Sequence, residues 1–286
     1  MSLLVFMYHR VLPEPHPEAV DTALLQRQLD YLQSKFRMLT PAEVCAYLRD
    51  GVVPGRASAP CAALTFDDGW LDNLLYATPI LKERGLSAML AVSAGYLSDG
   101  PVRESESPEV LRRSMREAMQ AAAAGDLRSY ANRAELLAMR DSGVWSLEAH
   151  GTRHMLGARG KSVLCGPQGE SPEEFAAALR TDVLNSRAKL KELTGKDGRV
   201  FFYPYGHYSN PAAEIVRECG YDIQFSVFKG ACRPKDKRLV LPRIGVSRWK
   251  KFRKNSIVFG NPLLAALRKL FHAEKVCFDD FYPEAR

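Results

Sequence analysis

Leu64-Thr65-Phe66-Asp67-Asp68-Gly69-Trp70 is the stretch that decides the fold. An apolar run opening at Cys61 stops abruptly at two adjacent carboxylates and a glycine, and an amphipathic pattern resumes at Leu71. That is the signature of a buried strand delivering a pair of acids to its C-terminal end, where α/β folds carry their chemistry. A second polar cluster, His150-Gly151-Thr152-Arg153-His154, follows another apolar run, Val144 to Ala149. Two carboxylates and two histidines, each presented at a predicted strand end, point to a mononuclear metal site.

Outward from that strand, the chain alternates. Ser2 to Tyr8 reads as a strand ending at His9-Arg10, and Asp21 caps a helix with Leu25, Leu29, Leu32 and Phe36 at helical spacing. Thr40-Pro41-Ala42-Glu43 is a capping box with proline at the first helical position, and Gly51 to Pro60 is a loop. Past the acids a helix runs to Arg84 and stops at Gly85, and Ser87 to Ser93 is the next strand. Residues 99–133 break the rhythm: charged, alanine-rich and helical over Pro108 to Ala124, they form an inserted lid or rim excursion. A helix over Asn132 to Ser142 leads to the strand before His150, and Gly157 to Glu170 is a glycine-rich, mobile loop. Ser171-Pro172-Glu173-Glu174 opens a long helix to Leu193. Val200 to Tyr203 is a strand, Asn210-Pro211 starts a helix that Gly220 ends, and Ile223 to Val227 and Leu239 to Val246 are the last strands.

Alternation with short connections implies parallel strands and crossover helices, in a barrel or a doubly wound sheet. Acids and histidines drawn from several separate strand ends favour the barrel, over residues 1–246. Residues 247–286 form a basic extension: nine of the Lys and Arg residues fall there against four Asp and Glu, so it carries +5 of the net +7. The body is thus near neutral, which gives nucleic-acid binding no support, and no glycine-rich phosphate loop occurs. The chain has 286 residues and six scattered cysteines. Its N-terminus lacks the basic region and cleavage site of a signal peptide, so reduced thiols and a cytoplasmic location are expected.

An isolated Asp-Asp-Gly is usually a turn, and an isolated H-x-x-x-H is more often a surface or core pair than a ligand pair. Their joint appearance at strand ends shifts the reading to a metal. The histidines can share one face if Gly151 to Arg153 form a helical turn. Two imidazoles and one carboxylate leave a coordination position for water, and the second carboxylate can accept its proton.

These motifs resemble a known family. Thr65-Phe66-Asp67-Asp68-Gly69, His150-Gly151-Thr152-Arg153-His154 and Tyr203-Pro204-Tyr205-Gly206 are similar, in order, to the first three motifs of the polysaccharide deacetylases, the NodB-homology domain of carbohydrate esterase family 4. The resemblance runs from about Leu3 to Val246. Met7-Tyr8-His9-Arg10-Val11 is most like the branch that de-N-acetylates poly-N-acetylglucosamine. The resemblance implies a distorted (β/α) barrel that holds Zn2+, or another divalent ion such as Co2+ or Ni2+, on Asp68, His150 and His154. Asp67 would be the general base, and the Tyr205 backbone N–H would stabilise an oxyanion alongside the ion. Tyr203, Pro204, Gly206, His207 and Trp70 would contact the sugar. The substrate would be an N-acetylated glycan or its lipid-linked precursor.

The chain departs from the family pattern in two places. The arginine that orients the base is missing from the third motif, where Phe202 and Tyr203 stand and Arg199 lies further upstream; Arg243 takes the role instead. The C-terminal Leu-x-His, source of the general acid, is matched only by Leu270-Phe271-His272, inside an amphipathic helix bearing Leu263, Leu264 and Leu267, so His9 and His207 are the alternative acids. The basic aromatic stretch Arg248 to Lys254 and that helix either pack on the barrel or rest on an anionic membrane. Two other readings of the whole are a hydrolase of another C–N amide and a glycan-binding module without turnover.

Overall fold

The computed structural model describes residues 2–52, 60–157, 160–246 and 248–261. The chain folds in the order β1 (Leu3–Tyr8), β2 (Arg10–Leu12), β3 (Ala19–Asp21), α1 (Thr22–Lys35), β4 (Arg37–Met38), α2 (Pro41–Asp50) and β5 (Cys61–Asp68). A π-helical turn, Asn73–Ala77, leads into α3 (Thr78–Glu83), followed by β6 (Ala88–Val92), α4 (Pro108–Leu111), α5 (Met115–Ala123), α6 (Arg133–Asp141) and β7 (Trp145–Ala149). Then come α7 (Pro172–Thr194), β8 (Val200–Phe202), α8 (Asn210–Glu218), β9 (Ile223–Phe225), β10 (Ile244–Gly245) and α9 (Trp249–Gly260).

The main sheet is parallel, in the order β10-β1-β5-β6-β7-β8-β9, with β4 also paired to β5. It curls into a half-barrel. Its open side is bridged by the segment before β10: Leu241 N–H donates to Gln224 O at 2.7 Å, and Ser226 N–H donates to Leu241 O at 3.0 Å. Leu239 to Val246 was expected to be one strand, but only Ile244–Gly245 pairs as such. Leu241 leaves the β1 side to bond β9, and this switch of partner interrupts the ladder.

Period-two alternation divides the strands between two cores. Leu3, Val5, Cys61, Ala63, Met89 and Phe202 face inward and pack together. Leu4, Phe6, Leu64, Phe66 and Leu90 face the helices. β5 is buried along its whole length, as a central parallel strand covered on both faces must be.

Helix starts follow local chemistry. Asp21 accepts from Leu24 N–H, and Thr40, Ser114, Asn132 and Ser171 each close a capping box with a glutamate three residues on. The helix expected over Pro108 to Ala124 is two helices, because the chain breaks at Arg112 and restarts at the Ser114 cap. Within the loop expected to be mobile, Ser162, Leu164 and Cys165 are fully buried. The aromatic-basic stretch forms α9, whose Phe252 and Phe259 are buried; the Phe252 ring lies 5.4 Å from Phe6, and Trp249 lies 5.8 Å from Tyr31. Leu263 to Phe271 and His272 lie outside the described residues.

Candidate metal and catalytic centre

Alternation along β5 puts Asp67 on the inward face with Thr65 and Ala63. There it meets Arg243, which stands just before β10. The guanidinium grips the carboxylate with both branches, Nη1 to Oδ1 at 2.6 Å and Nη2 to Oδ2 at 2.7 Å. Nη1 also donates to Thr65 Oγ1 at 3.1 Å, Nε donates to Ser226 O at 3.1 Å, and the group lies 4.6 Å over the Phe202 ring. Both partners are buried. Burial alone would raise the Asp67 carboxyl, but the charge and paired hydrogen bonds of Arg243 outweigh it and hold Asp67 below the usual carboxylate range. A fork this completely used fixes the carboxylate plane.

Asp68 breaks the strand. Its φ of 78° is left-handed, as is the 79° of Gly69, and for a non-glycine residue this costs about 1 kcal/mol. The twist swings its carboxylate toward two imidazoles: Oδ1 lies 3.3 Å from His150 Nε2 and 3.1 Å from His154 Nε2. His150 Nδ1 is 2.8 Å from Phe202 O, and since a carbonyl only accepts, Nδ1 carries the proton and Nε2 is left as a lone pair. Asp68 Oδ1 is buried and receives no hydrogen bond. One ligand atom from each of the three residues lies within 4.8 Å of the others. A buried carboxylate oxygen, the lone pair of His150 and the His154 imidazole converging on one point make a donor set that a divalent cation satisfies, so the residues present fit such an ion.

The histidines do not converge by a helical turn. Residues 151–154 form an irregular loop, entered through Gly151 at φ 74°. Asp182, inside α7, holds that loop: its carboxylate accepts from Thr152 N–H at 2.8 Å, Arg153 N–H at 3.0 Å and Arg153 Nε at 3.0 Å. Asp182 and Thr65 are site residues the motif reading missed. The available signal for Asp182 was an acid in register with Phe175, Leu179, Val183, Ser186 and Leu190 on the buried face of an amphipathic helix.

The other expected site residues divide. His9 follows β1, whose register pairs Tyr8 with Phe66, so it stands level with Asp67. Tyr205 has φ 59°, its ring lies 4.6 Å from that of His154, and its hydroxyl donates to Met119 Sδ at 3.6 Å. His207 is neutral near pH 7 and so holds no extra proton to deliver: its Nδ1 accepts from Ser162 N–H at 3.1 Å, and burial, with Lys161 nearby, pushes its pKa down to about 4. Arg199 pairs with Asp222 at 2.8 Å and takes no part in the cluster.

Four residues expected to contact sugar do not face solvent. Tyr203 is fully buried and its hydroxyl donates to Gln224 Oε1. Pro204 is buried beside it. Gly206, also buried, is there because a Cβ would lie 2.3 Å from Val227 Cγ2 at a φ of 69°. Trp70 is 1% exposed, and its Nε1–H donates to Asp68 Oδ2 at 2.9 Å.

A curled parallel sheet with a carboxylate–histidine cluster and an arginine-held aspartate at its C-terminal strand ends belongs to the class of α/β hydrolytic centres. The chain is a member of the polysaccharide deacetylase family, whose sequence profile matches residues 55–224. It is 24% identical over 233 residues to the poly-beta-1,6-N-acetyl-D-glucosamine N-deacetylase of Staphylococcus aureus (strain MRSA252), covering 80% of this chain and 68% of that protein. The structure of IcaB from Ammonifex degensii superposes with a TM-score of 0.72 at 25% identity, over 91% of this chain and 97% of that one. The BpsB deacetylase domain from Bordetella bronchiseptica shares the fold, with a TM-score of 0.65 at 20% identity over 86% of this chain and 96% of that domain.

Proposed function

We propose that this protein is a metal-dependent N-deacetylase acting on a poly-N-acetylglucosamine-type glycan. The observation that carries the reading is the Asp67–Arg243 pair, a buried carboxylate kept ionised and oriented beside a donor set fit for a cation. Asp68, His150 and His154 would hold the ion, Zn2+ or a similar divalent metal. Bound there, it would supply Lewis acidity and lower the pKa of a water. Asp67 takes the proton from the attacking water, and Arg243 keeps its carboxylate in one plane. The Tyr205 N–H, turned by a left-handed backbone, donates to the oxyanion that develops on the acetyl carbonyl. His9, at the end of β1, returns a proton to the departing amine. Free amine and acetate result. A module that only binds glycan has no use for Asp67 so prepared.

The test is acetate release from N-acetylglucosamine oligomers by chelator-stripped protein resupplied with Zn2+ or Co2+. Release restored by metal and absent in Asp67→Asn supports the proposal. Release of acyl groups from simple amides alone would move it to another C–N bond, and absence of metal binding would overturn it. A lipid-linked substrate held at a bilayer is the finer form of the same reading. It is supported by the exposed face of α9, which carries Lys250, Lys251, Arg253 and Lys254 around the half-exposed Ile257. Binding to anionic vesicles that survives Lys250→Glu with Lys254→Glu would remove that part.

A further inference from the structure

Trp70 is placed to do something other than touch sugar. Its indole N–H takes one oxygen of Asp68, Oδ2, and thereby leaves the other, Oδ1, facing His150 and His154. The indole is itself clamped on both faces. On one, the Arg10 guanidinium lies 4.5 Å from the ring centre; on the other, Tyr130 stacks at 4.7 Å and is backed by Tyr96 at 4.2 Å. Ala118 of α5 completes the packing.

The clamp is anchored far along the chain. Arg10 Nε donates to Asp72 Oδ2 at 2.8 Å, while its two Nη groups donate to the carbonyl oxygens of Leu111 and Arg113. Arg10, Trp70 and Tyr130 are each at most 2% exposed. Arg10 thus ties residues 111–113 to Asp72, and Tyr130 and Ala118 press the same excursion onto the indole. The excursion expected as a lid or rim is also a brace.

We infer that Trp70 is a positioning residue for the metal ligand Asp68, and that the 99–133 excursion, through Tyr130 and Ala118 and its tie to Arg10, sets how tightly the centre holds its ion. The inference rests on the proposed reading that Asp68, His150 and His154 bind a divalent cation. Groups that orient metal ligands typically contribute ten- to a hundred-fold in affinity. Phenylalanine at position 70 keeps a stacking ring but has no N–H, so Oδ2 would lose its donor and the carboxylate could rotate.

The experiment is calorimetric titration of the chelator-stripped full chain with Zn2+, repeated with Co2+ to read the visible spectrum of the bound ion. Wild type and Trp70→Phe are compared, with thermal melts of both metal-free proteins. The expected result is metal-free melting within a few degrees of wild type, affinity lower by about ten-fold or more, and an altered Co2+ spectrum. Equal affinity and an unchanged spectrum would overturn the inference while leaving the metal reading intact. Failure of wild type to bind either ion would defeat both. If Trp70→Phe does not fold, Tyr130→Leu, which loosens the clamp but keeps the indole N–H, carries the test: folded protein with several-fold weaker binding supports the coupling, and folded protein with unchanged binding overturns it.

Discussion

At the scale of single residues, the centre is a division of labour between neighbours. Asp67 and Asp68 are adjacent, yet one follows the strand's alternation into the interior and the other leaves it through a left-handed backbone. Asp67→Asn is expected to lower acetate release by about 10²–10⁴-fold with metal stoichiometry unchanged, measured by turnover and metal analysis on the same sample. Arg243→Met removes the cation from a buried carboxylate, where burial then raises the Asp67 carboxyl. Activity should fall, and the acid limb of the kcat/KM profile should move to higher pH. A limb that stayed in place would separate Arg243 from the base. The two aspartates and two histidines were legible because both motifs end apolar runs in one alternating chain, a coincidence that a turn or a surface pair does not explain. Arg243 became legible only once a motif lacked its arginine. Thr65 was not, since a threonine inside a strand looks like ordinary β-forming material, and only its hydrogen bond to Arg243 gives it a role.

At the scale of elements, the strand ends were readable and the loop geometry was not. Capping residues announced α1, α2 and α7 correctly because a cap is a local bond between neighbours. The path of residues 151–154 depends on Asp182, some thirty positions away, and no local spacing encodes it. Asp182→Ala leaves two backbone N–H groups unpaired and should weaken Zn2+ binding by about ten-fold or more; titration calorimetry checks it. β7 carries a separate liability in Glu148. It is 7% exposed, its carboxylate accepts from Ser146 Oγ, and burial pushes it up to about 7. The unfolded chain releases this proton near its usual 4.5, whereas the folded chain keeps it until about 7. Stability from this group is therefore full at pH 4 and lost as pH rises through that window, by about 3 kcal/mol. Glu148→Gln should melt several degrees above wild type at pH 8, and the difference should shrink to nothing near pH 4.

At the scale of the whole molecule, the alternating pattern was enough to give parallel strands and a curled sheet, because each crossover needs its helix. The closing segment was readable only as one strand, Leu239 to Val246; its switch from β9 at Leu241 to β1 at Ile244–Gly245 is too short to leave a periodic signal. The basic stretch after β10 divided between a packed face and a charged face. α9 buries Phe252 and Phe259 against the barrel, so truncation after residue 248 should cost about 3–6 kcal/mol, read by denaturant unfolding. A truncated chain as stable as the full one would detach α9 from the fold. Binding of an ion should add to stability by mass action, about 2.7 kcal/mol at a hundred times its dissociation constant, and chelation should lower the melting temperature accordingly.

The bond between Asp67 and Arg243 spans 176 positions of sequence. During synthesis the strand bearing Asp67 is made long before its cation, and β1 waits longer still for β10. If β5 were buried before residue 243 emerged, Asp67 would lack the cation that chiefly offsets its burial. A chain ending ahead of that residue is therefore expected to be less stable than the full one, which denaturant unfolding of a truncated protein checks. The chemistry of the site thus also reports that synthesis has passed residue 243.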